Sequence, residues 1–381
     1  MPRQRDEALP HQPGRGVSRS ATTVEADRDR GVDVSQDSSK SDPVTARAEK
    51  VVARRIPLNT FAIALGLTGL ATTWSAAAAA ADLPIAVPQV FWGIALVSLI
   101  WLIAAHLARG LQSGVPLRKQ LHDPAQGPLA AIVPIAGMLM GVDLFTWAPL
   151  LGAVVIVVCM TVTLMLAGWL LSRWLTAQIE LGAVHGGYLL PTVAGGFVAA
   201  RAAATIGLTG LGWAAFGVGL LFWAVVTTLI LVRLVARTAL PDALVPTLTV
   251  LLAPPAVGGL ALFALDDGEV TPFSSALAGL TVLLGVVQLA LIPQYRRLPF
   301  SLGFWSFTFP VAAVLAYAIE WTVLLQLPEA PVVGWVLAVV MTLFIGAIGI
   351  RSLQAVTGSG ARRSAEQVLS TADALDAAVG R

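Results

Sequence analysis

The sequence predicts an all-α integral membrane protein of ten transmembrane helices, arranged as five repeated helical hairpins with inner, kinked helices around a central pore. First, 56% of the 381 residues are hydrophobic and only 12% are charged, whereas a soluble chain carries roughly 25% charged residues. Second, the chain contains ten apolar runs, each near the ~20 residues that a helix needs to cross the hydrocarbon core. Third, proline lies inside alternate runs only.

The two ends of the chain are polar. Residues 1–55 hold 11 of the 24 Lys and Arg residues and no aromatic residue, so they cannot bury enough apolar surface to offset the entropy of ordering. We expect a disordered cytoplasmic head, which is either a plain solvated tail or a regulatory segment whose Ser and Thr residues take phosphate. Residues 354–381 form a cytoplasmic tail, in which the apolar spacing over 364–380 suggests a short amphipathic helix.

The ten predicted spans lie between these ends. Their ranges are 57–77, 87–108, 128–145, 147–172, 187–207, 209–232, 244–265, 272–293, 300–320 and 331–352. Eleven Lys and Arg residues lie just before the first span or after the even spans, and none lies in the loops after the odd spans. The positive-inside rule therefore predicts a multi-pass protein of the plasma or inner membrane with both termini cytoplasmic.

Proline interior to a span occurs only in odd-numbered spans. These residues are Pro134, Pro191, Pro254, Pro255 and Pro310, and the first span carries Gly66 and Gly69 instead. A proline removes a backbone hydrogen bond and kinks its helix, and at membrane depth the freed carbonyl must find protein or water. We interpret the odd spans as an inner ring around a path and the even spans as its lipid-facing support. The alternative is that Pro and Gly are simply common in membrane helices.

Ionisable groups are scarce at membrane depth. The spans contain no Lys, their only His is His106 near a predicted cytoplasmic end, and their acidic residues lie at span ends. This pattern argues against a proton relay, and no filter-like repeat indicates a cation pore. Arg201, in the outer half of the fifth span, either attracts an anion or snorkels to the interface. A mildly polar path without negative charge favours anions.

The same scarcity argues against other classes of protein. No nucleophile–base pair or metal cluster can be assembled from the spans, and the lone Cys159 lies in an apolar run, where it is expected to be a small buried side chain. We therefore expect no enzyme, no cofactor and no metal site. Because the basic residues lie mostly in loops and tails, we also expect no nucleic-acid partner.

The ninth span places one bulky ring beside its proline. At 100° per residue, Phe309 lies opposite the stripe of Phe300, Phe304 and Phe307, on a face with small alanines. If that face lines the path, Phe309 would plug it, because a hydrophobic constriction gates by occlusion or dewetting. If that face does not line the path, Phe309 packs between helices. The periodicity is compatible with both interpretations.

Four segments resemble the tellurite-resistance/dicarboxylate transporter family, which includes bacterial tellurite-resistance homologues and the plant slow-type anion channels of guard cells. They are Ile56–Leu67, Leu211–Gly219, Leu252–Ala256 and Phe304–Pro310, of which the last is the most specific. The resemblance implies a homotrimer with one pore per protomer, lined by the five odd-numbered helices. It also implies transport of small anions, including chloride, nitrate, sulfite, tellurite and malate-type dicarboxylates. The phenylalanine before the ninth-span proline is the family's gate, which here is Phe309.

The leading hypothesis is therefore a membrane anion channel or exporter that passes small inorganic or carboxylate anions through a pore occluded by Phe309. Residues 56–353 would form this ten-helix transmembrane channel domain in the lipid bilayer. The alternative is a gradient-coupled secondary transporter of C4-dicarboxylates such as malate, or of sulfite or tellurite, and pH-independent flux would separate the two. A third class, a non-transporting scaffold or sensor, would need residues 1–50 and would be indifferent to Phe309→Ala.

Overall fold

The computed structural model describes residues 55–114, 116–237 and 239–379, with side chains of the last helix up to residue 357. The predicted head, apart from Arg55, and the side chains of most of the predicted tail lie outside this description. The described residues are helical and contain no strand, and nine of their helical stretches are long and apolar enough to cross a membrane. The prediction of an all-α membrane protein is confirmed at this level.

Eleven α-helices carry the fold. They are α1 (Ala62–Ala80), α2 (Ala86–Ser113), α3 (Leu117–His122), α4 (Ile132–Trp147), α5 (Pro149–Leu175), α6 (Gly195–Thr205), α7 (Thr209–Ala236), α8 (Ala253–Leu265), α9 (Pro272–Tyr295), α10 (Thr308–Leu324) and α11 (Ala330–Val379). Short 3₁₀ helices run into four of them, namely Leu58–Phe61 before α1, Gly127–Ala131 before α4, Val245–Leu252 before α8 and Leu302–Phe307 before α10. Helix α11 continues from the predicted tenth span into the predicted tail without a break.

The helices fall into two groups by burial. In the spans that contain α1, α4, α8 and α10, between 50% and 83% of the central residues are buried, and α6 is buried almost throughout. In α2, α5, α7, α9 and α11 the buried share is only 11% to 28%. We call the first group the inner helices and the second the outer helices. The exposed faces of the outer helices are apolar, as Leu164 and Trp101 illustrate, which suits contact with lipid.

The inner helices contact one another in a closed cycle. Helix α1 packs on α4, α4 on α6, α6 on α8, α8 on α10, and α10 again on α1. Each outer helix packs on the inner helix that precedes it in the chain, and α11 also contacts α1. The closure between α1 and α10 depends on glycine, because a Cβ added to Gly69 would lie 2.7 Å from the Cβ of Ala312. Gly66 faces Thr308 and Trp305 in the same way.

At each end of the bundle a side-chain hydrogen bond joins two neighbouring helical segments. At one end the indole of Trp305 donates to the Ser352 hydroxyl at 3.0 Å, joining the start of the α10 span to α11. We call this the basic end, because the loops there carry the Lys and Arg residues counted above. At the opposite, acidic end the Gln89 amide donates to Asp143 Oδ1 at 2.7 Å, joining the start of α2 to α4.

The fifth predicted span differs from the prediction, since it is not one continuous helix. It consists of a 3₁₀ turn at Gly186–Tyr188, a π-helical turn at Leu190–Ala194, and the eleven-residue helix α6. Pro191 lacks an N–H, and the surrounding glycines have low helix propensity. Helices α4, α5, α7 and α8 surround this segment, so packing rather than its own propensity holds it in place.

The predicted kink prolines lie where the helix type changes, whereas the predicted kink at Gly66 falls inside the continuous helix α1. Pro134 and Pro310 are the third residues of α4 and α10, and Pro254 and Pro255 are the second and third residues of α8. Each follows a 3₁₀ segment, whereas Pro191 lies inside the π-helical turn. A proline in the first turn of an α-helix has no intrahelical hydrogen bond to lose. Four of the five prolines therefore do not interrupt their α-helix, and the irregular backbone lies in the 3₁₀ segment before them.

Candidate functional site

Two narrow cavities lie inside the cycle of inner helices. The cavity nearer the acidic end is lined by residues of all five inner helices, among them Gly69, Leu139, Arg201, Leu260 and Phe309. We call it the outer cavity. Its accessible volume is about 20 Å³, which is room for one or two water molecules.

The second cavity lies nearer the basic end and is called the inner cavity. Its lining again comes from every inner span, including Leu65, Ile132, Leu190, Val250 and Phe309. Its accessible volume is about 30 Å³, so it also has room for only a few water molecules. Among the described lining residues, Phe309 alone belongs to both cavities. Its side chain therefore stands between them.

Local sequence places Phe309 at this point. The 3₁₀ segment before it is capped by Ser301, whose hydroxyl accepts from the Gly303 N–H at 3.3 Å. Thr308 then donates from its hydroxyl to the Trp305 carbonyl at 2.7 Å and begins α10. The ring of Phe309 packs over Gly69, where an added Cβ would approach its Cδ2 to 3.5 Å.

The surroundings of Phe309 are small and apolar. Ala312 and Ala313, one turn along α10, line the outer cavity together with Phe309. The side chain of Phe309 is only 8% exposed. A bulky ring is therefore held among glycine and alanine residues where the two cavities meet.

Arg201 is the charged residue of the outer cavity. It lies on α6, half-buried, and among the described residues its guanidinium has no hydrogen-bond or ion-pair partner. The carboxylate of Glu320 on α10 acts on it electrostatically. No acidic side chain lines either cavity in the described part of the chain. The sequence left open whether Arg201 attracts an anion or snorkels to the interface. The structure places it on the lining of the outer cavity, and its role stays a prediction.

The described part of the bundle thus encloses two narrow cavities, with Phe309 on the lining of both and Arg201 on the lining of one. The sequence profile of the voltage-dependent anion channel family matches residues 55–353. The chain belongs to this family. The resemblance inferred from the four sequence segments is confirmed, and the family is one of anion channels.

Three curated proteins illustrate the family. The chain is 26% identical over 267 residues to a tellurite resistance protein TehA homolog of Haemophilus influenzae, in a match that covers 68% of this chain and 79% of the relative. It is 22% identical over 315 residues to the S-type anion channel SLAH3 of Arabidopsis thaliana and 24% identical over 279 residues to SLAH2 of the same plant. Those matches cover 78% and 70% of this chain, but only 48% and 53% of the plant proteins.

This member of the anion channel family also contains a buried polar group at the basic end that the sequence analysis did not single out. His185 is 1% exposed, and its Nδ1 accepts from the Gly187 N–H at 3.1 Å. Arg233, 3% exposed, donates from Nε to the Gly182 carbonyl at 3.3 Å. Burial lowers the pKa of His185 to about 4, and the positive charge of Arg233 acts in the same direction. The imidazole is therefore neutral at physiological pH.

The only sequence signal for this group is the pair of glycines after His185, which permits the tight turn that buries the ring. Neither His185 nor Arg233 lines the two cavities. We interpret them as supports for the irregular start of the fifth span, because both contact carbonyl or amide groups of the loop that leads into it.

Proposed function

We propose that this protein is a channel for small anions, with a pore inside the cycle of inner helices of each protomer and with Phe309 as its gate. The supporting observation is that Phe309 is shared by the outer and inner cavities. A single ring between two narrow apolar spaces would block both ions and the continuous water that ions need, because a narrow hydrophobic constriction favours dewetting. Displacing that ring would join the two cavities.

Anion preference would arise from charge at the outer cavity. The unpaired guanidinium of Arg201 is the one full charge on the lining of the described cavities, and it would attract an anion approaching from the acidic end. Thr72 adds a hydroxyl to the same lining, although that hydroxyl already donates to the Thr68 carbonyl at 2.9 Å. No carboxylate lines either cavity in the described part of the chain, so the charge on the lining itself would repel a cation.

The membrane arrangement is part of the same proposal. We infer that Gly186–Thr205 is a tenth crossing, so that ten spans form five hairpins with both termini on the cytoplasmic side of the plasma or inner membrane. Its near-complete burial within the cycle supports this inference. We also propose that three protomers assemble, each with its own pore, as the family resemblance implies. Thiol labelling from each side, on a Cys159→Ser background with single cysteines in the loops, tests the orientation.

The deciding experiment measures anion current through reconstituted wild type, Phe309→Ala and Phe307→Ala. Phe307 is the matched control, because it lies two residues away, packs on Tyr295 with ring centroids 4.8 Å apart, and lines neither cavity. Chloride, nitrate, sulfite, tellurite and malate are tested in turn at two pH values. We expect large currents only in Phe309→Ala, reversing near the anion equilibrium potential and independent of pH.

Two results would contradict the proposal in different ways. Slow uptake of malate or sulfite that follows a pH gradient, with no current in any variant, would replace the channel by a gradient-coupled transporter. Equal currents in wild type and Phe309→Ala would retain a channel and remove the gate from Phe309. The order of the anions in the Phe309→Ala currents would identify the substrate class.

A further inference from the structure

A second charged residue lies near Arg201 at the acidic end of the inner helices. Arg201 lies on α6, four residues before that helix ends at Thr205, and Glu320 lies on α10, four residues before that helix ends at Leu324. Both helices run toward the acidic end, because earlier residues of each span line the inner cavity. Each charged residue is therefore about one turn from the end of its helix. We call the last turns of the inner helices at this end the outer mouth.

Glu320 lies on the face of α10 that lines the outer cavity. It follows Phe309 by 11 positions, so at about 100° per residue it returns to within about 20° of the direction of Phe309. Ala312 and Ala313, between them in sequence, line the same cavity. Glu320 is partly exposed and lies about two turns beyond Ala313. Its carboxylate is therefore between the outer cavity and the acidic end, on the side from which an anion would enter.

The cycle of inner helices sets the two charges across its interior from each other. Helices α6 and α10 are not neighbours in the cycle, since α8 lies between them and packs on both. The guanidinium of Arg201 and the carboxylate of Glu320 nevertheless act on each other electrostatically. No salt bridge joins them within the described residues. Their interaction therefore runs across the outer mouth, where an anion would have to pass between them.

Another carboxylate at this end faces elsewhere. Asp143 occupies the corresponding position of α4, four residues before that helix ends at Trp147. Its Oδ1 accepts from the Gln89 amide of outer helix α2 at 2.7 Å, so this carboxylate is turned toward the outer helix. Among the described residues Glu320 has no such hydrogen-bond partner. The negative charge that opposes Arg201 is therefore that of Glu320.

We propose that Glu320 is a selectivity residue of this channel, which offsets the attraction of Arg201 at the outer mouth and does so more for divalent than for monovalent anions. The attraction of a charged site grows in proportion to the charge of the anion. The cost of removing water from the anion grows with the square of that charge. A mouth whose two charges partly cancel therefore offsets this cost least for divalent anions. The inference rests on the proposed channel function.

The opposing carboxylate also helps an anion to leave. Conduction requires binding that is favourable enough for entry and weak enough for release. Arg201 by itself would hold a divalent anion about twice as strongly as a monovalent one, because the electrostatic energy doubles with the charge. Glu320 weakens that hold without placing a negative charge on the lining of either cavity.

The test compares nitrate, which is monovalent, with sulfate, which is divalent at neutral pH, on the Phe309→Ala background. Reversal potentials with one anion on each side give the nitrate-to-sulfate permeability ratio, which does not depend on how many channels have folded. Adding Glu320→Gln should lower this ratio roughly two- to fivefold at low salt, because sulfate loses twice the repulsion that nitrate loses. The shift should shrink at high salt.

Two variants control for the removal of a carboxylate as such. Glu320→Asp retains the charge and should retain the permeability ratio. Glu329→Gln makes the same substitution at an exposed position of the loop between α10 and α11, at the same end of the bundle, and should leave the ratio unchanged. A ratio that is the same with and without Glu320→Gln would overturn the role of Glu320 and leave the channel intact.

Chloride binding to the full chain with Phe309 in place separates this inference from the proposed function. Broadening of the chloride resonance by the chain in lipid nanodiscs reports chloride that exchanges at the outer mouth, and Arg201→Gln should remove it. Sulfate should displace chloride better in Glu320→Gln than in wild type. That displacement without current in any variant would remove the channel and retain the role of Glu320. Neither current nor broadening that depends on Arg201 would overturn both.

Discussion

The inner and outer helices use apolar residues in opposite ways. Mean hydropathy is 2.2 or more in every outer helix and 2.0 or less in the inner spans α1, α4, α8 and α10, yet the outer helices are the less buried group. In water the more apolar element would be the buried one. In a bilayer the lipid is as apolar as a protein core, so hydropathy no longer decides which helix goes inside.

Close packing instead decides which helices lie inside the bundle. The inner helices are rich in positions where glycine permits contact, such as Gly66 under Thr308 and Gly259 under Tyr317. Several outer-helix glycines, such as Gly217, meet nothing within 4 Å. Small residues let helix backbones approach closely, and this is what holds helices together in a membrane. The inner and outer groups should therefore respond differently to the same substitution.

Truncating a large side chain should give the largest difference in unfolding free energy between the inner and the outer helices. Phe197 of α6 is fully buried and its ring packs on those of Phe216 and Trp223. Phe197→Ala should lower the free energy of unfolding by about 3–5 kcal/mol through the cavity it leaves. Leu164→Ala, on the exposed face of α5, should change it by less than about 0.5 kcal/mol. Unfolding in detergent measures both, and equal losses would refute the distinction.

The buried histidine should make stability depend on pH. Its folded-state pKa is about 4 against 6.5 for a free histidine, so the unfolded state binds a proton between those values and the folded state does not. Stability is complete above pH 6.5 and should fall by about 3 kcal/mol as pH drops to 4. His185→Asn should flatten this dependence in unfolding measured from pH 7 to 4. His122→Asn, an exposed control on α3, should leave it intact.

Adding bulk at a glycine should distinguish an inner contact from a lipid-facing position. Gly66→Leu would force a side chain into Thr308 and Trp305, and overpacking of this kind costs about 1–3 kcal/mol. Gly217→Leu enters open space on α7 and should be neutral or slightly stabilising, since glycine is a poor helix former. Thermal unfolding in detergent measures the difference. A tolerated Gly66→Leu would mean that α1 and α10 are less tightly joined than their contacts indicate.

Removing the positive charge of Arg201 from the outer cavity should have the smallest free-energy effect of these changes. In Phe309→Ala, the variant that we expect to be open, adding Arg201→Gln should reduce chloride current several-fold at low salt, because about 1 kcal/mol of attraction is lost at a partly solvated site. The loss should shrink at high salt as screening increases. Arg201→Lys retains the charge and should retain most of the current. If Gln and Lys behave alike, Arg201 only snorkels.

Much of the fold follows from the sequence because a membrane imposes simple conditions. The length of each apolar run, with full backbone hydrogen bonding inside the span, fixes helix as the structure. The alternation of proline along the chain indicated two classes of helix, and burial in the structure divides the helices along the same alternation. The four family-like segments, above all Phe304–Pro310, were sufficient to assign the family that the profile match confirms.

The sequence did not determine the broken form of the fifth span, the position of Phe309 on the lining of two cavities, or the burial of His185. Each depends on which residues from distant parts of the chain surround the segment. A π-helical turn is stable here because four other helices enclose it, and Phe309 lines both cavities because α1 places a glycine beneath its ring. Local sequence sets helix type through backbone hydrogen bonding, whereas cavities and buried polar residues arise only where several segments of the chain meet.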